Sequence, residues 1–407
     1  MKDRDLAGLW ARHSAQWRDT AQVASQWREA SDTDPRLLEW SASPGWWDIL
    51  ARLELTLLVT REYEHLVMAL SAPAGRPRLS FFPLPHPSGL TVDRINRRVY
   101  VASTRNPNQV FLFKPARGNL ERLDVKTKHR TGSPLVPVAT TSYPGSLYIH
   151  DLAFIGRQLC ASAVGHNAVV RLGAEGCFER IWWPRCVERG GEPVFGQNHI
   201  QLNSIAAGET AADSFYSASS TKLGRLRPGH LMYPVDGRGV IFSGRTREPV
   251  CTGLTRPHSA RLAGAPDRPA SRRPASQTAK ARRLWVANSG YGEVGYVSRG
   301  RLEVVARLPG WTRGLCIVGD VGFAATSRVI PKYERYAPGL DVAASRCAVY
   351  AISLSTGTVL GSLEWPQGNQ VFAIDWIRAA DCQGFCFPVG DRRPKRDTVF
   401  FYTYLSE

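Results

Sequence analysis

Apolar runs of strand length recur along this chain, and each is preceded by a polar residue and a small one. One example starts with His258 and Ser259, continues after an insert with the apolar run Leu284–Ala287, and turns at the Gly-rich segment 289–292. Such runs, bounded by polar or Gly-rich turns, predict buried β-strands with tight connections. The small residue that opens each unit recurs at intervals of 53 to 62 residues, at Gly89, Asp151, Ser204, Ser259, Gly314 and Ala373.

Six copies of a unit of this length predict an all-β fold, a six-bladed β-propeller. Three apolar runs precede the first copy: Leu57–Thr60, His65–Leu70 and Leu79–Pro83. We expect them to complete the blade that begins at Phe372, because joining both chain ends in one blade closes the ring and leaves no long free strand edge. The segment Thr398–Tyr404 could add a further strand there.

The first 54 residues follow a different pattern. Within residues 3–30, Leu6, Trp10 and Trp17 fall on one helical stripe, and six of the chain's 12 tryptophans lie in the first 47 residues. This predicts a helical, Trp-rich N-terminal extension (1–54) that buries one face, ahead of the propeller domain (55–407). The extension is expected to cap the propeller; the alternative is an arm that makes a homo-oligomer.

Length and composition are compatible with one large domain. The 407 residues exceed an average domain, but all-β folds with radial repeats often do, and 43% of the residues are hydrophobic. The eight cysteines are scattered without a paired framework, which favours reduced thiols. No signal-peptide core follows Met1, and no apolar window is long enough to span a membrane, so the expected location is the cytoplasm, without a membrane partner.

The net charge of +17 raises the possibility of a nucleic-acid partner. Its distribution argues against one, because seven basic residues lie in the insert 261–283, which is rich in Pro, Ala and Ser and is predicted to be a disordered loop. A second basic cluster, 392–396, lies near the C-terminus. Neither cluster interleaves aromatic with basic residues as a single-strand-binding surface would, so we expect no nucleic-acid binding.

Candidate chemistry gathers at the axis, because the first strand of every blade lines the central channel. The residue before each small residue can point into the channel mouth, which predicts a ring of six: Ser88, His150, Asn203, His258, Arg313 and Phe372. Neutral imidazoles are the usual nitrogen ligands of Zn, Cu, Fe or Mn, and a guanidinium pairs with carboxylates. His199 lies four residues before Asn203 and could reach the same mouth from a loop.

Several of these motifs together resemble the DUF4915 family, a bacterial family without an assigned function. The resemblance extends from about Leu57 to Trp376 and departs from the family pattern at Gln201, where a His is frequent. The motifs that carry it are His150-Asp151-Leu152, Leu202-Asn203-Ser204-Ile205-Ala206, Pro257-His258-Ser259, Leu284-Trp285-Val286, Ser289-Gly290-Tyr291-Gly292-Glu293 and the run from Leu308 to Leu315.

The blades are also loosely similar to gluconolactonase and regucalcin-like propellers. In those proteins an Asn and an Asp at the start of a blade bind the catalytic divalent metal, and Asn203 and His258 occupy the corresponding type of position here. The resemblance thus supports Asn203 and His258 as ligands, and the predicted ring adds His150, so we expect a metal site held by His150, Asn203 and His258. A His in place of the carboxylate shifts the preference from Ca²⁺ to a transition metal, with Fe, Cu, Mn and Zn left open.

The leading interpretation is a metal-dependent hydrolase, lyase or oxidoreductase that acts on a small molecule or peptide bearing an anionic group. His150, His258 and Arg313 would be catalytic, and Arg313, Ser88 and His199 would bind substrate; His199 or Glu293 could move protons. A metal-free alternative uses His258 or His150 as general base, with Arg313 stabilising an anion. A propeller can also serve as a non-catalytic scaffold or binding protein, so the fold does not decide between these functions.

Overall fold

The computed structural model describes residues 30, 32–104, 108–116, 118–120, 133–196, 198–263, 282–389 and 402–404. Six antiparallel sheets surround one axis, which confirms the six-bladed β-propeller. From the axis outwards, blade 1 contains Ala373–Arg378, Leu55–Arg61, Leu66–Ser71 and Arg78–Pro83, and blade 2 contains Pro87–Asp93, Arg98–Ser103, Asn108–Pro115 and Pro134–Tyr143.

The other four blades repeat this order of four strands. Blade 3 contains Ile149–Ile155, Gln158–Ala163, Ala168–Leu172 and Phe178–Trp182, and blade 4 contains Leu202–Ala206, Phe215–Ala218, Gly239–Ser243 and Pro249–Leu254. Blade 5 contains Pro257–Ala263, Arg283–Asn288, Glu293–Ser298 and Arg301–Arg307, and blade 6 contains Trp311–Val318, Val321–Ser327, Ala348–Ser353 and Val359–Glu364.

The ring closes inside blade 1, as the sequence predicted. The innermost strand comes from the C-terminal part of the chain and pairs with the first long strand, with Leu55 opposite Arg378 and Thr60 opposite Ala373. At the outer edges, Phe387–Pro388 adds to blade 1 and Gly384–Phe385 adds to blade 2. The expected strand at Thr398–Tyr404 is different, because its described part, Tyr402–Tyr404, pairs with Gly118–Leu120 and not with blade 1.

The hydrophobic core is divided among the blade junctions. Each of the six junctions has its own cluster of buried apolar side chains, such as Leu58 and Val101 between blades 1 and 2 or Val286 and Ile241 between blades 5 and 4. Alternate residues of a strand therefore face the two neighbouring blades, and both faces of most inner strands are buried.

A side-chain hydrogen bond to the next blade's main chain also crosses every junction. In five of the six, the acceptor is the carbonyl directly before a residue of the predicted ring. The bonds are Thr60 to Ser88 (2.8 Å), Ser88 to Ile149 (2.9 Å), Ser162 to Leu202 (2.6 Å), Asn203 to Pro257 (2.9 Å), Ser289 to Thr312 (2.6 Å) and Ser327 to Val371 (3.0 Å).

The described end of the N-terminal extension packs on blades 6 and 1. Ser41–Ala42 adds a short strand to the outer edge of blade 6, and the α-helix Trp46–Arg52 follows it. Trp46 is fully buried and meets Phe323 of blade 6 edge to face, with ring centroids 6.0 Å apart. The helical stripe predicted for residues 3–30 lies almost wholly outside the described residues, and the domain boundary at 54/55 stays a prediction.

None of the helices in the described part of the chain has both the length and the apolar character needed to cross a bilayer. The basic insert and the cluster 392–396 lie mostly or wholly outside the described residues, so the predictions about nucleic acid, oligomer formation and cellular location stay predictions.

Candidate functional site

Four of the six predicted ring residues meet at the mouth of the channel. The imidazole centroids of His150 and His258 are 6.0 Å apart, and each lies 5.5 Å from the ring of Phe372. The guanidinium carbon of Arg313 lies 3.6 Å from the Phe372 centroid. Two histidines and an arginine thus all pack against the ring of Phe372.

Irregular pairing at the start of the inner strands accompanies this geometry. In blades 2 to 6 the register of the innermost strand shifts at or beside the ring residue, for example between Ile149 and Leu152 and between His258 and Arg261. Such a β-bulge re-aims a side chain that would otherwise follow the regular alternation of a strand. Ser259 has a positive φ of 54°, the strained conformation that turns the backbone directly after His258.

The hydrogen bonds of His258 fix its protonation state. Arg313 donates from Nε to His258 Nε2 at 3.2 Å, and because a guanidinium can only donate, Nε2 carries a lone pair. The proton is then on Nδ1, which donates to the Ser259 hydroxyl at 3.0 Å. Burial lowers the pKa of His258 well below its usual value, and the charges of Arg313 and His150 lower it further. The imidazole is therefore neutral.

Arg313 is a buried cation without a carboxylate partner. With the Gln370 amide oriented so that its oxygen faces Arg313, Nη1 donates to that oxygen at 2.8 Å, and the amide nitrogen donates to Glu62 at 2.9 Å. No ion pair of Arg313 is present among the described residues, and its side chain is almost fully buried. Burial lowers the pKa of the guanidinium. The charge of Glu62, which is joined to Arg313 through the Gln370 amide, opposes that shift.

Ser88 and Asn203, the other two ring residues, are used by the scaffold. The Ser88 hydroxyl lies within hydrogen-bond distance of two main-chain carbonyls, at 2.9 and 3.1 Å, and the residue is fully buried. The Asn203 amide donates to the carbonyl of Pro257 and to the Ser219 hydroxyl. Both side chains join neighbouring blades by these hydrogen bonds.

His199 lies in a different place. It lines a cleft with Arg225, Arg227 and His230, and it shares no hydrogen bond with the ring residues in the described part of the chain. Glu293 is also occupied elsewhere, because its two oxygens accept from Asn288 and Arg307. The geometry thus places neither residue beside the histidine pair.

Aromatic side chains that were not predicted from the sequence cover the mouth. The Tyr63 and Tyr333 hydroxyls are hydrogen-bonded and their rings are stacked, while Tyr336 stacks on Trp311 with centroids 6.4 Å apart. Arg256, also buried, lies 4.1 Å from the Tyr336 centroid.

A left-handed backbone conformation recurs two residues before several of the ring residues. Four residues placed two before a ring residue have positive φ angles: His86, Tyr148, Gln201 and Arg256. Extending the sequence repeat two residues upstream would have marked these polar side chains as a second tier at the mouth.

A family model described as a domain of unknown function (DUF4915) matches residues 44–265 and 270–384. This chain belongs to the DUF4915 family. No curated protein matches it.

Among solved structures, the DUF4915 chain is similar at 9% identity to one in a nidogen–laminin complex, with a TM-score of 0.49 and coverage of 81% of this chain and 100% of the other. Streptogramin B lyase follows at 12% identity, TM-score 0.38, and 76% and 75% coverage. The calcium-binding protein regucalcin from Agrobacterium tumefaciens shows 11% identity, TM-score 0.38, and 66% and 71% coverage.

The metal predicted for this DUF4915 protein does not fit the side chains as they are placed. Both nitrogens of His258 are engaged, Nε2 by Arg313 and Nδ1 by Ser259, so neither offers a lone pair to an ion. The buried Arg313 guanidinium also donates to the His258 nitrogen that an ion would need. Within the described ranges no three His, Cys, Asp or Glu side chains are grouped to hold a metal.

Proposed function

We propose that this DUF4915 protein is a hydrolase or lyase that binds a small molecule or peptide through an anionic group at the axial mouth. Arg313 binds the anion, and His150 and His258 transfer protons. The observation that supports this most directly is the buried Arg313 guanidinium, which has no carboxylate partner among the described residues.

The energetics favour a ligand at this position. Removing a guanidinium from water costs several kcal/mol, and two neutral acceptors and one aromatic face repay only part of that cost. A carboxylate or phosphate can accept two parallel hydrogen bonds from a guanidinium, which are stronger than the neutral bonds to His258 and Gln370. An anionic substrate would therefore complete a site that the protein leaves electrostatically incomplete.

Binding of the anion would also activate the histidine. As Arg313 turns towards the ligand, its Nε–H leaves His258 Nε2 and exposes a lone pair beside the bound molecule. The low pKa keeps this imidazole neutral before the ligand binds, and the negative charge of a bound anion would raise that pKa and so make His258 a better proton acceptor. His150 lies across the Phe372 ring, in position to return a proton to the leaving group.

The metal-dependent form of this proposal holds Fe, Cu, Mn or Zn on His150, Asn203 and His258. This form requires Arg313 to release His258 Nε2. Measuring the metal content of the protein therefore distinguishes it from the metal-free form. Elemental analysis of protein purified without an affinity metal, alongside His258→Gln, separates the two forms: near-stoichiometric metal lost in the variant supports the metal-dependent one.

Anion binding is tested by thermal unfolding and calorimetry across a panel of carboxylates and phosphate esters. A ligand present at 100 times its Kd should stabilise the wild type by about 2.7 kcal/mol. Arg313→Gln should lose this stabilisation, whereas Arg307→Gln, which removes an exposed guanidinium on blade 5, should keep it. Equal binding by wild type and Arg313→Gln would contradict the assignment.

A further inference from the structure

The cleft that contains His199 differs from the axial mouth in its lining. It has a volume of about 390 Å³ and is lined by Asn198, His199, Gly224, Arg225, Arg227 and His230. None of these six residues is acidic. A cleft of this size lies at the lower end of the range that holds small molecules.

The polar groups of the cleft are mostly donors. Arg225 and Arg227 are exposed guanidinium groups on the loop that joins two strands of blade 4. The main-chain N–H of Met232 donates to His230 Nδ1 at 3.1 Å, so the neutral imidazole carries its proton on Nε2 and presents a third donor. Arg225 makes no ion pair in the described part of the chain.

His199 adds the complementary feature. It is 7% exposed, its main-chain N–H is held by Asn167 at 2.9 Å, and its buried Nε2 has no hydrogen-bond partner among the described residues. A buried polar atom without a partner costs free energy that a ligand can recover. Burial and the charge of Arg189 lower the pKa of this imidazole, and a hydrogen bond to the main chain of Gly224 opposes that shift. One ring nitrogen of a neutral imidazole is an acceptor, and we assign that role to Nε2, the nitrogen without a partner among the described residues.

We propose that this cleft binds the phosphate group of a small phosphate monoester. The arginines and His230 bind phosphate oxygens, and His199 Nε2 accepts the proton of the P–OH group. The monoanion of a phosphate monoester, which is populated at and below a pH of about 6, is tetrahedral and carries one proton. It matches a site with several donors and one acceptor, whereas a carboxylate or sulfate has no proton to give at that pH. The lining of this cleft includes none of the predicted ring residues, and the proposal does not depend on the function proposed for the axial mouth.

The test is calorimetric titration of the full chain with inorganic phosphate, methyl phosphate, sulfate and acetate at constant ionic strength. Phosphate and methyl phosphate should bind with saturation and more tightly than sulfate. The double variant Arg225→Gln with Arg227→Gln should weaken phosphate binding at least tenfold. Arg238→Gln, an exposed arginine near the end of the same loop, removes a charge outside the cleft and should leave binding unchanged.

Three results would overturn the proposal. No saturable phosphate binding would exclude the site, and equal loss in Arg238→Gln would show a nonspecific charge effect. Loss in Arg313→Gln with full binding in the double variant would place the phosphate at the axial mouth instead. His199→Gln should reduce the preference for phosphate over sulfate; an unchanged preference would remove His199 from the site.

Discussion

The neutral state of His258 predicts a dependence of stability on pH. Its pKa is lowered by burial first and by Arg313 and His150 next, so the folded protein resists a proton that the unfolded chain accepts with a pKa near 6.5. The unfolded state then binds more protons as pH falls. The contribution of neutral His258 to the free energy of unfolding is therefore fully present above that unfolded pKa and is lost progressively below it.

The magnitude follows from proton linkage for one group. If the folded protein binds no proton at His258 down to pH 5.5, the change from pH 7.5 to pH 5.5 costs about 1.4 kcal/mol of unfolding free energy. His258→Gln removes the titrating group and keeps an oxygen that can accept from Arg313 Nε. The variant should therefore lose about 1.4 kcal/mol less than the wild type over the same interval.

Urea unfolding, followed by tryptophan fluorescence at both pH values, measures this difference. His166 provides an independent comparison, because burial, reinforced by the charge of Arg180, lowers its pKa to about 4. His166→Gln should reduce the acid-dependent loss by a similar amount. Identical pH dependence in wild type and His258→Gln would refute the assignment of a buried neutral imidazole.

Three further substitutions test the scaffold by the same unfolding measurement. Ser162→Ala leaves a buried carbonyl of blade 4 without its 2.6 Å hydrogen bond and should cost about 1–3 kcal/mol. Trp46→Ala removes a fully buried ring and should cost about 3–5 kcal/mol. In Gly89→Ala the new Cβ would lie 2.7 Å from the main chain of Asp151, which should cost about 1–3 kcal/mol. Gly196→Ala meets no atom within 4 Å and should cost less, so equal costs would contradict the close approach of blades 2 and 3.

The parts of the fold that repeat were predictable from the sequence. Five of the six inner strands have an apolar run after a polar and a small residue. These features are local, so Leu202–Ala206 and Trp311–Val318 are where the pattern placed them. The closure of blade 1 followed from the strands left over at both ends. By contrast, the partner of Tyr402–Tyr404 depends on tertiary placement that no local pattern contains.

The candidate site was predictable as a set of positions but not as a set of interactions. The repeat placed His258 and Arg313 at equivalent positions, yet it could not show that Arg313 donates to the nitrogen expected to hold a metal. The position of His199 was not predictable either, because a loop that is not part of the repeat carries it to another cleft. Side-chain direction at a bulge depends on register shifts, which the residue types alone do not specify.

The pairing of Leu55–Arg61 with Ala373–Arg378 has a consequence for how the protein folds. These partners are more than 300 residues apart, so the innermost position of blade 1 stays vacant until nearly the whole chain has left the ribosome. Until then the nascent sheet exposes an unpaired edge, which is a template for aggregation. A chain truncated before Ala373 should therefore accumulate as insoluble protein, and adding the missing strand as a separate peptide should restore solubility.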